Sequence, residues 1–370
     1  MADQEKDFPS DSCPRSEDTA AMQSETCVVQ KAWSTLSKDA IVDKIKGLIY
    51  GQALGDAIGL ATEFMSKAQA ESTYGKEGPS SFDDIVTDYH RHSWKKGDWT
   101  DDTDQMLLIM LGVIESRGAV SELDFAWRLK EWTKRGFPEL GDQGGCGIGR
   151  TVWTTVRRPE FKKDPHKAAR DTWESSGRFL AANGAVMRTS ILGALNFNDI
   201  DKVIENTKRI CLVTHADPRC LASCVAVTTA IALMLAGADS DESIEKSLDF
   251  GLKCLGDEQY AKEMRNYVSV KSLDELELDE EHTIGYTFKT LGSGFYGLRH
   301  CNDYWKTIME LIMEAGDADT NAAVCGALLG CKLGYKSLPA ERLAKMPHVE
   351  WLEEKVTQFL TLIGLTENKD

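Results

Sequence analysis

The sequence has no C-x-x-C pair, no G-x-S-x-G turn and no glycine-rich loop ending in Gly-Lys-Ser/Thr. The first argues against a disulfide scaffold, and the other two exclude a nucleophile elbow of the α/β-hydrolase kind and a Walker phosphate loop. A basic excess is missing too. Forty-three Lys and Arg stand against 59 Asp and Glu, for a formal charge of −16, which argues against nucleic acid or an anionic membrane as partner. No apolar run approaches the roughly 18–20 residues of a membrane span. The N-terminal stretch shows no basic segment followed by an apolar one, so no secretory signal is expected. Ten cysteines are present, but they are scattered, several in apolar stretches such as residues 322–334, where free Cys behaves as a small hydrophobe. A reduced, cytoplasmic protein is expected.

What is present reads as helix. Residues 1–35 are rich in Asp, Glu, Ser and Gln with few large apolar groups, and are expected to be a disordered acidic tail. Between Met1 and Gln30 seven acidic residues outweigh two basic ones, so about a third of the net charge belongs to this tail. A single helical domain is expected over residues 36–366. Ser37 is placed to cap a helix in which Ile41, Ile45, Leu48 and Ile49 share a face. Further helical runs fall around 103–117, 122–134, 185–195, 200–213, 219–236, 242–254, 304–314, 320–334 and 350–363, and alternating β-branched segments are lacking. Gly51, Gly55 and Gly59 are spaced four apart, as are Gly326, Gly330 and Gly334. On a helix each set is a ridge. Glycine costs roughly 1 kcal/mol per residue in helix propensity, so close approach of two central helices is the expected compensation.

Several clusters carry chemistry. Thr100, Asp101, Asp102 and Asp104 directly precede the apolar run MLLIMLGVI. An N-cap and a helix dipole account for one or two of those carboxylates, whereas three within four positions repel one another unless a hard cation such as Mg²⁺ or Mn²⁺ is shared. The same ingredients recur in Asp317, Asp319 and Thr320 ahead of a second helix. Brought together, the two clusters supply the oxygen ligands of a two-metal site; kept apart, they are two capped helices. Glu63 leaves the first glycine-rich helix in an apolar context that would raise its pKa. The loop from Gly141 to Arg150 is dense in glycine and presents backbone N–H groups with Arg150 beside them. His90 and His92 flank Arg91 in a polar loop and receive no metal role.

In order, the segments GDAIGLATEF, GDWTDDTDQM, ANGAVMR, VTHADP and AGDADTNAA resemble the ADP-ribosylglycohydrolase family over about residues 42–335. The resemblance implies an all-α, single-domain orthogonal helical bundle with two Mg²⁺ or Mn²⁺ ions. It assigns Thr100, Asp101, Asp102, Asp317, Asp319 and Thr320 as metal ligands, and Glu63, Asp101 and Asp102 as catalytic. Glu63 falls on a flap that in relatives opens and closes over the metals. Asn183, Gly184 and His215 are assigned to ADP-ribose. Ala61 stands where many relatives have Pro, and Ala182 where Gly is frequent. The implied activity is removal of ADP-ribose from modified protein side chains, arginine foremost, with serine-linked or O-acetyl-ADP-ribose as alternatives. The implied partner is an ADP-ribosylated protein or an ADP-ribose-containing small molecule, with no nucleic acid or membrane, and the chain is expected to be monomeric. Two rivals are a terpenoid synthase, whose second metal motif is missing, and a non-enzymatic, crystallin-like relative. Linkage selectivity is expected in segments 72–96 and 255–285.

Overall fold

The computed structural model describes residues 34–300 and 302–367. The expected acidic tail lies outside them except for Ser34 and Thr35. These two dock on the bundle, with Ser34 Oγ donating to Leu235 O and Thr35 N–H to Ala236 O.

Ser37 caps the first helix, accepting from Ala40 N–H at 3.2 Å. Among the described residues the chain then forms α1 (Lys38–Gly59), α2 (Lys67–Tyr74), α3 (Asp101–Glu115), α4 (Glu122–Arg135), α5 (Arg150–Val156), α6 (Pro165–Ser175), α7 (Leu192–Leu195) and α8 (Ile200–Cys211). There follow α9 (Pro218–Ala236), α10 (Ser240–Leu252), α11 (Glu258–Val268), α12 (Thr287–His300), α13 (Tyr304–Ile312), α14 (Ala318–Leu333), α15 (Ala340–Leu343) and α16 (Val349–Leu362). The architecture is all-α, as expected. Among the described residues the nearest approach to a β-ladder is a single antiparallel bridge between Ala182 and Tyr286.

The glycine ridges meet. A Cβ added at Gly51 would lie 2.3 Å from Gly326 O, one at Gly47 2.1 Å from Gly330 O, and one at Gly59 2.5 Å from Asp319 Cα. Low numbers on α1 pair with high ones on α14, so the two helices run antiparallel with backbones in direct contact, and any side chain larger than hydrogen would force them apart. Gly47 extends the ridge beyond the three glycines singled out in the sequence. Gly334 ends α14 with φ of 85°, its backbone still against Gly47, where a Cβ would lie 2.9 Å from Gly334 C. The functional result is positional: the C-terminal end of α1, with Glu63 just beyond it, lies beside the N-terminal end of α14. Gln52 then ties in α3, donating to Asp102 O and to Met187 O, at 3.3 and 2.9 Å.

Two expectations are corrected. Helix α9 is, by length and composition, apolar enough to cross a membrane, contrary to the sequence reading; 83% of its apolar window is buried in the bundle, packed by α8, α10, α12 and α14. Residues 185–195 do not form one helix. They make tight turns (Met187 N–H to Asn183 O, 3.2 Å) and only the four residues of α7. Their apolar spacing reflects burial on all sides, which mimics a helical period. The sequence reading also passed over α2, α5, α6, α11, α12 and α15. Of these, α12 is buried along most of its length and shows no polar face to reveal its period.

Candidate metal and active site

Thr100 caps α3, its Oγ1 accepting from Asp102 N–H, and Asp101 and Asp102 fall in the first turn. At α14 the N-cap residue Asp317 makes no side-chain cap; its carboxylate instead accepts from Asn183 Nδ2 at 2.9 Å. Because α1 and α14 are antiparallel and Gln52 pins α3 to α1, both helix starts converge on one point. Two groups of carboxylates result. Oxygens of Asp56, Asp102 and Asp319 lie within 4.8 Å of one another, as do those of Glu63, Asp317 and Asp319. Asp319 belongs to both. Thr100 Oγ1 stands 3.3 Å from Asp102 Oδ2 and 3.4 Å from Asp319 Oδ2.

So many buried carboxylates cannot all be ionised without a counter-charge. Burial first, then the neighbouring Asp and Glu charges, push Asp101, Asp102 and Asp319 well above the usual carboxylate range. Burial raises Asp56 to about 7, although Thr100 N–H, Thr103 N–H and the Thr103 hydroxyl all donate to it. Burial also raises Glu63, opposed by His90, whose Nε2 is 2.5 Å from Glu63 Oε2. Asp102 Oδ1 is buried without a hydrogen-bond partner. An all-oxygen donor set with an unpartnered carboxylate oxygen fits a hard divalent cation. The two groups sharing Asp319 fit a binuclear centre.

The carboxylates form the floor of a cleft of about 830 Å³, lined also by Phe64, Gly147, Arg150, Asn183, Gly184 and His215 among others. Glu63 is held in it by Arg91, which donates from Nε to Leu60 O and Ala61 O and from Nη2 to Glu63 O. Gly147, with φ of 86°, brings the glycine-rich loop over Asp101; a Cβ there would sit 2.6 Å from Asp101 Oδ1.

Arg188, fully buried, connects the floor with the wall. It donates to Gln105 Oε1 at 2.8 Å, and Gln105 Nε2 donates to Asp101 Oδ2 at 2.6 Å. Its other branch donates to the Thr214 hydroxyl at 2.7 Å, which leaves that hydroxyl's proton for His215 Nδ1 at 2.8 Å. His215 then carries its own proton on Nε2, which is buried and without a protein partner. Burial and the nearby Arg188 charge hold the imidazole pKa well below its usual value, so the cleft wall presents a neutral N–H donor.

A sequence profile of the family described as ADP-ribosylglycohydrolase matches residues 37–369. The chain belongs to the ADP-ribosylglycohydrolase family. It is 27% identical over 329 residues to an uncharacterised Archaeoglobus fulgidus protein, covering 86% of this chain and 97% of that one. It is 23% identical over 322 residues to the ADP-ribosylarginine hydrolase Tri1 of Serratia proteamaculans, covering 86% of this chain and 79% of that one. A solved chain from an ADP-ribosylglycohydrolase-related protein complex shares the fold, with a TM-score of 0.60 at 21% identity over 88% of this chain and 99% of that chain.

In this family member the residues that the resemblance assigned as catalytic, metal or substrate groups fall in or next to one cleft. Glu63, Asp101, Asp102, Asn183, Gly184, His215, Asp317, Asp319 and Thr320 line it, and Thr100 lies beneath. Asp101 stands outside both groups of close carboxylates, its Oδ2 engaged by Gln105. Sequence reasoning did not assign Asp56 or His90. Asp56 had a signal, the only charged residue in the largely apolar stretch 47–62. His90 had none, since its nearness to Glu63 arises only when residues 60–64 fold back on the loop. Asp104 belongs to the scaffold, accepting from the indole N–H groups of Trp99 and Trp132 at 2.8 and 2.9 Å.

Proposed function

We propose that this ADP-ribosylglycohydrolase hydrolyses the N-glycosidic bond between ADP-ribose and arginine side chains of modified proteins, using two Mg²⁺ or Mn²⁺ ions. The observation that carries this reading is the pair of buried carboxylate groups sharing Asp319 at the floor of a cleft large enough for a nucleotide-sized ligand. The arginine linkage is supported by the likeness to the ADP-ribosylarginine hydrolase Tri1.

Thr100, Asp102, Asp317, Asp319 and Thr320 are the ligands we assign to the ions. Asp56, already carrying three donated hydrogen bonds, orients Thr100 and Thr103. The ions would neutralise the carboxylates, hold ribose hydroxyls and acidify water. The chain's own groups do the rest. Water attacks the anomeric carbon as the bond to the guanidinium nitrogen breaks. Asp101, held by Gln105, orients that water and takes its proton. Glu63, steadied by His90, relays a proton to the departing nitrogen. The carboxylate floor stabilises the oxocarbenium-like charge in the transition state. His215 Nε2–H, with Asn183 and Gly184 beside it, donates to an oxygen of the ADP-ribose.

The test is release of ADP-ribose from proteins modified separately on arginine and on serine, with Mg²⁺, with Mn²⁺ and with chelator, for wild type, Asp101→Asn and Asp319→Asn. Metal-dependent release from arginine, lost in both variants, is the expected result. Release from serine alone would overturn the linkage. Absence of both turnover and ADP-ribose binding would favour a non-enzymatic, crystallin-like role.

A further inference from the structure

Phe64 directly follows Glu63 and is 60% exposed, although it is a large apolar residue. Its backbone is left-handed, with φ of 62°, a conformation strained for any residue bearing a Cβ. The strain is held in place by Phe64 N–H donating to Gly316 O at 2.7 Å and Gly316 N–H to Met65 O at 3.0 Å. The fold therefore maintains an unfavourable backbone in order to present a ring to solvent at the cleft. The ring does not stand alone. It lies 4.9 Å from the His90 ring, and His90 lies 5.1 Å from Trp94. Trp94 continues under the glycine-rich loop, 3.3 Å from where a Cβ on Gly147 would be. An aromatic rim thus borders the carboxylate floor from residue 64 to residue 147.

We infer that Phe64, backed by His90 and Trp94, is the binding face for the leaving group, and that this group is a planar cation of the guanidinium class. The inference rests on the arginine reading above and assigns its selectivity to one side chain. Position supports it: Phe64 follows Glu63, is bonded through its N–H to Gly316 next to Asp317, and lines the same cleft as both carboxylates, where the proposed function puts the scissile bond. Charge supports it as well. Arg91, which holds this segment, is spent on the Leu60, Ala61 and Glu63 carbonyls and on Asp88, and Glu63 engages His90, leaving an exposed π-face at the cleft. Such a face attracts a guanidinium and offers little to a neutral seryl oxygen.

The full-length protein saturated with Mg²⁺ is titrated with methylguanidinium and with its neutral counterpart N-methylurea, read by saturation-transfer NMR, for wild type, Phe64→Leu and Phe64→Tyr. Leu keeps the bulk and the backbone strain without the ring; Tyr keeps the ring. Methylguanidinium affinity is expected to fall roughly tenfold in Phe64→Leu and to return in Phe64→Tyr, with methylurea unchanged. On arginine-linked ADP-ribose the same loss is expected in KM more than in kcat, while serine-linked substrate is unaffected. Equal methylguanidinium binding by wild type and Phe64→Leu overturns the inference whatever the turnover. Methylguanidinium binding that depends on the ring in a protein with no arginine-directed turnover upholds the face and overturns the proposed function.

Discussion

Helices α3 and α14 both begin in aspartate and threonine, and their beginnings are built differently. At α3, Thr100 caps the helix and Asp104 is consumed by two indole N–H groups, so part of the acidic cluster is scaffold. At α14, Asp317 occupies the cap position without capping, and Asp319 joins both carboxylate groups. Acidic residues that look equivalent in sequence therefore divide by their partners. Those whose partners are neutral donors hold the fold, and those facing other carboxylates make a donor set that fits a cation.

Substitution at the shared position should give the largest effect. Asp319→Asn is expected to reduce turnover by roughly a thousandfold or more and to abolish high-affinity binding of Mn²⁺ followed by electron paramagnetic resonance. Near-normal metal binding would show that the two groups are not one centre.

Next comes the response of stability to pH. Burial raises Asp56 from 3.8 to about 7, and Asp101, Asp102 and Asp319 are raised as well. A raised carboxyl holds its proton more tightly in the fold, so its contribution is present at about pH 4 and is lost as pH rises to about 7. The Tm difference between Mg²⁺-loaded and chelated protein should widen over that interval; a constant difference would mean that the carboxylates do not bind the metal.

Asp104→Leu tests the other side of the comparison. Two buried indole N–H groups lose their acceptor, and a destabilisation of about 3 kcal/mol is expected in denaturant melts, with Mn²⁺ affinity retained. Loss of metal affinity in a folded variant would place Asp104 with the site. The smallest effect belongs to Trp99→Phe, which removes one of the two donors. About 1 kcal/mol of stability should go, with turnover unchanged.

Much of this was legible in the sequence. The glycine spacing announced the close pair of α1 and α14, because only backbone contact offsets so many helical glycines. The two Asp–Thr clusters pointed to one shared site, because three carboxylates in four positions are more than a helix cap requires. Helix α12 and the turns at 185–191 were not legible, since burial on all sides removes the polar face from which a period is read. The membrane-span expectation failed at α9 for the same reason: a core helix and a bilayer helix have the same composition.

The sequence alone determined the helical class, the central pair and the chemical character of the site, because periodicity, glycine spacing and donor type are local properties. The tertiary structure decided which carboxylates face one another, that Asp56 and His90 join them, that Arg188 reaches both Asp101 and His215, and that Phe64 stands in a strained, exposed place. Each of these depends on residues 26 or more positions apart being brought within hydrogen-bond or ring-contact distance, and that proximity follows from packing.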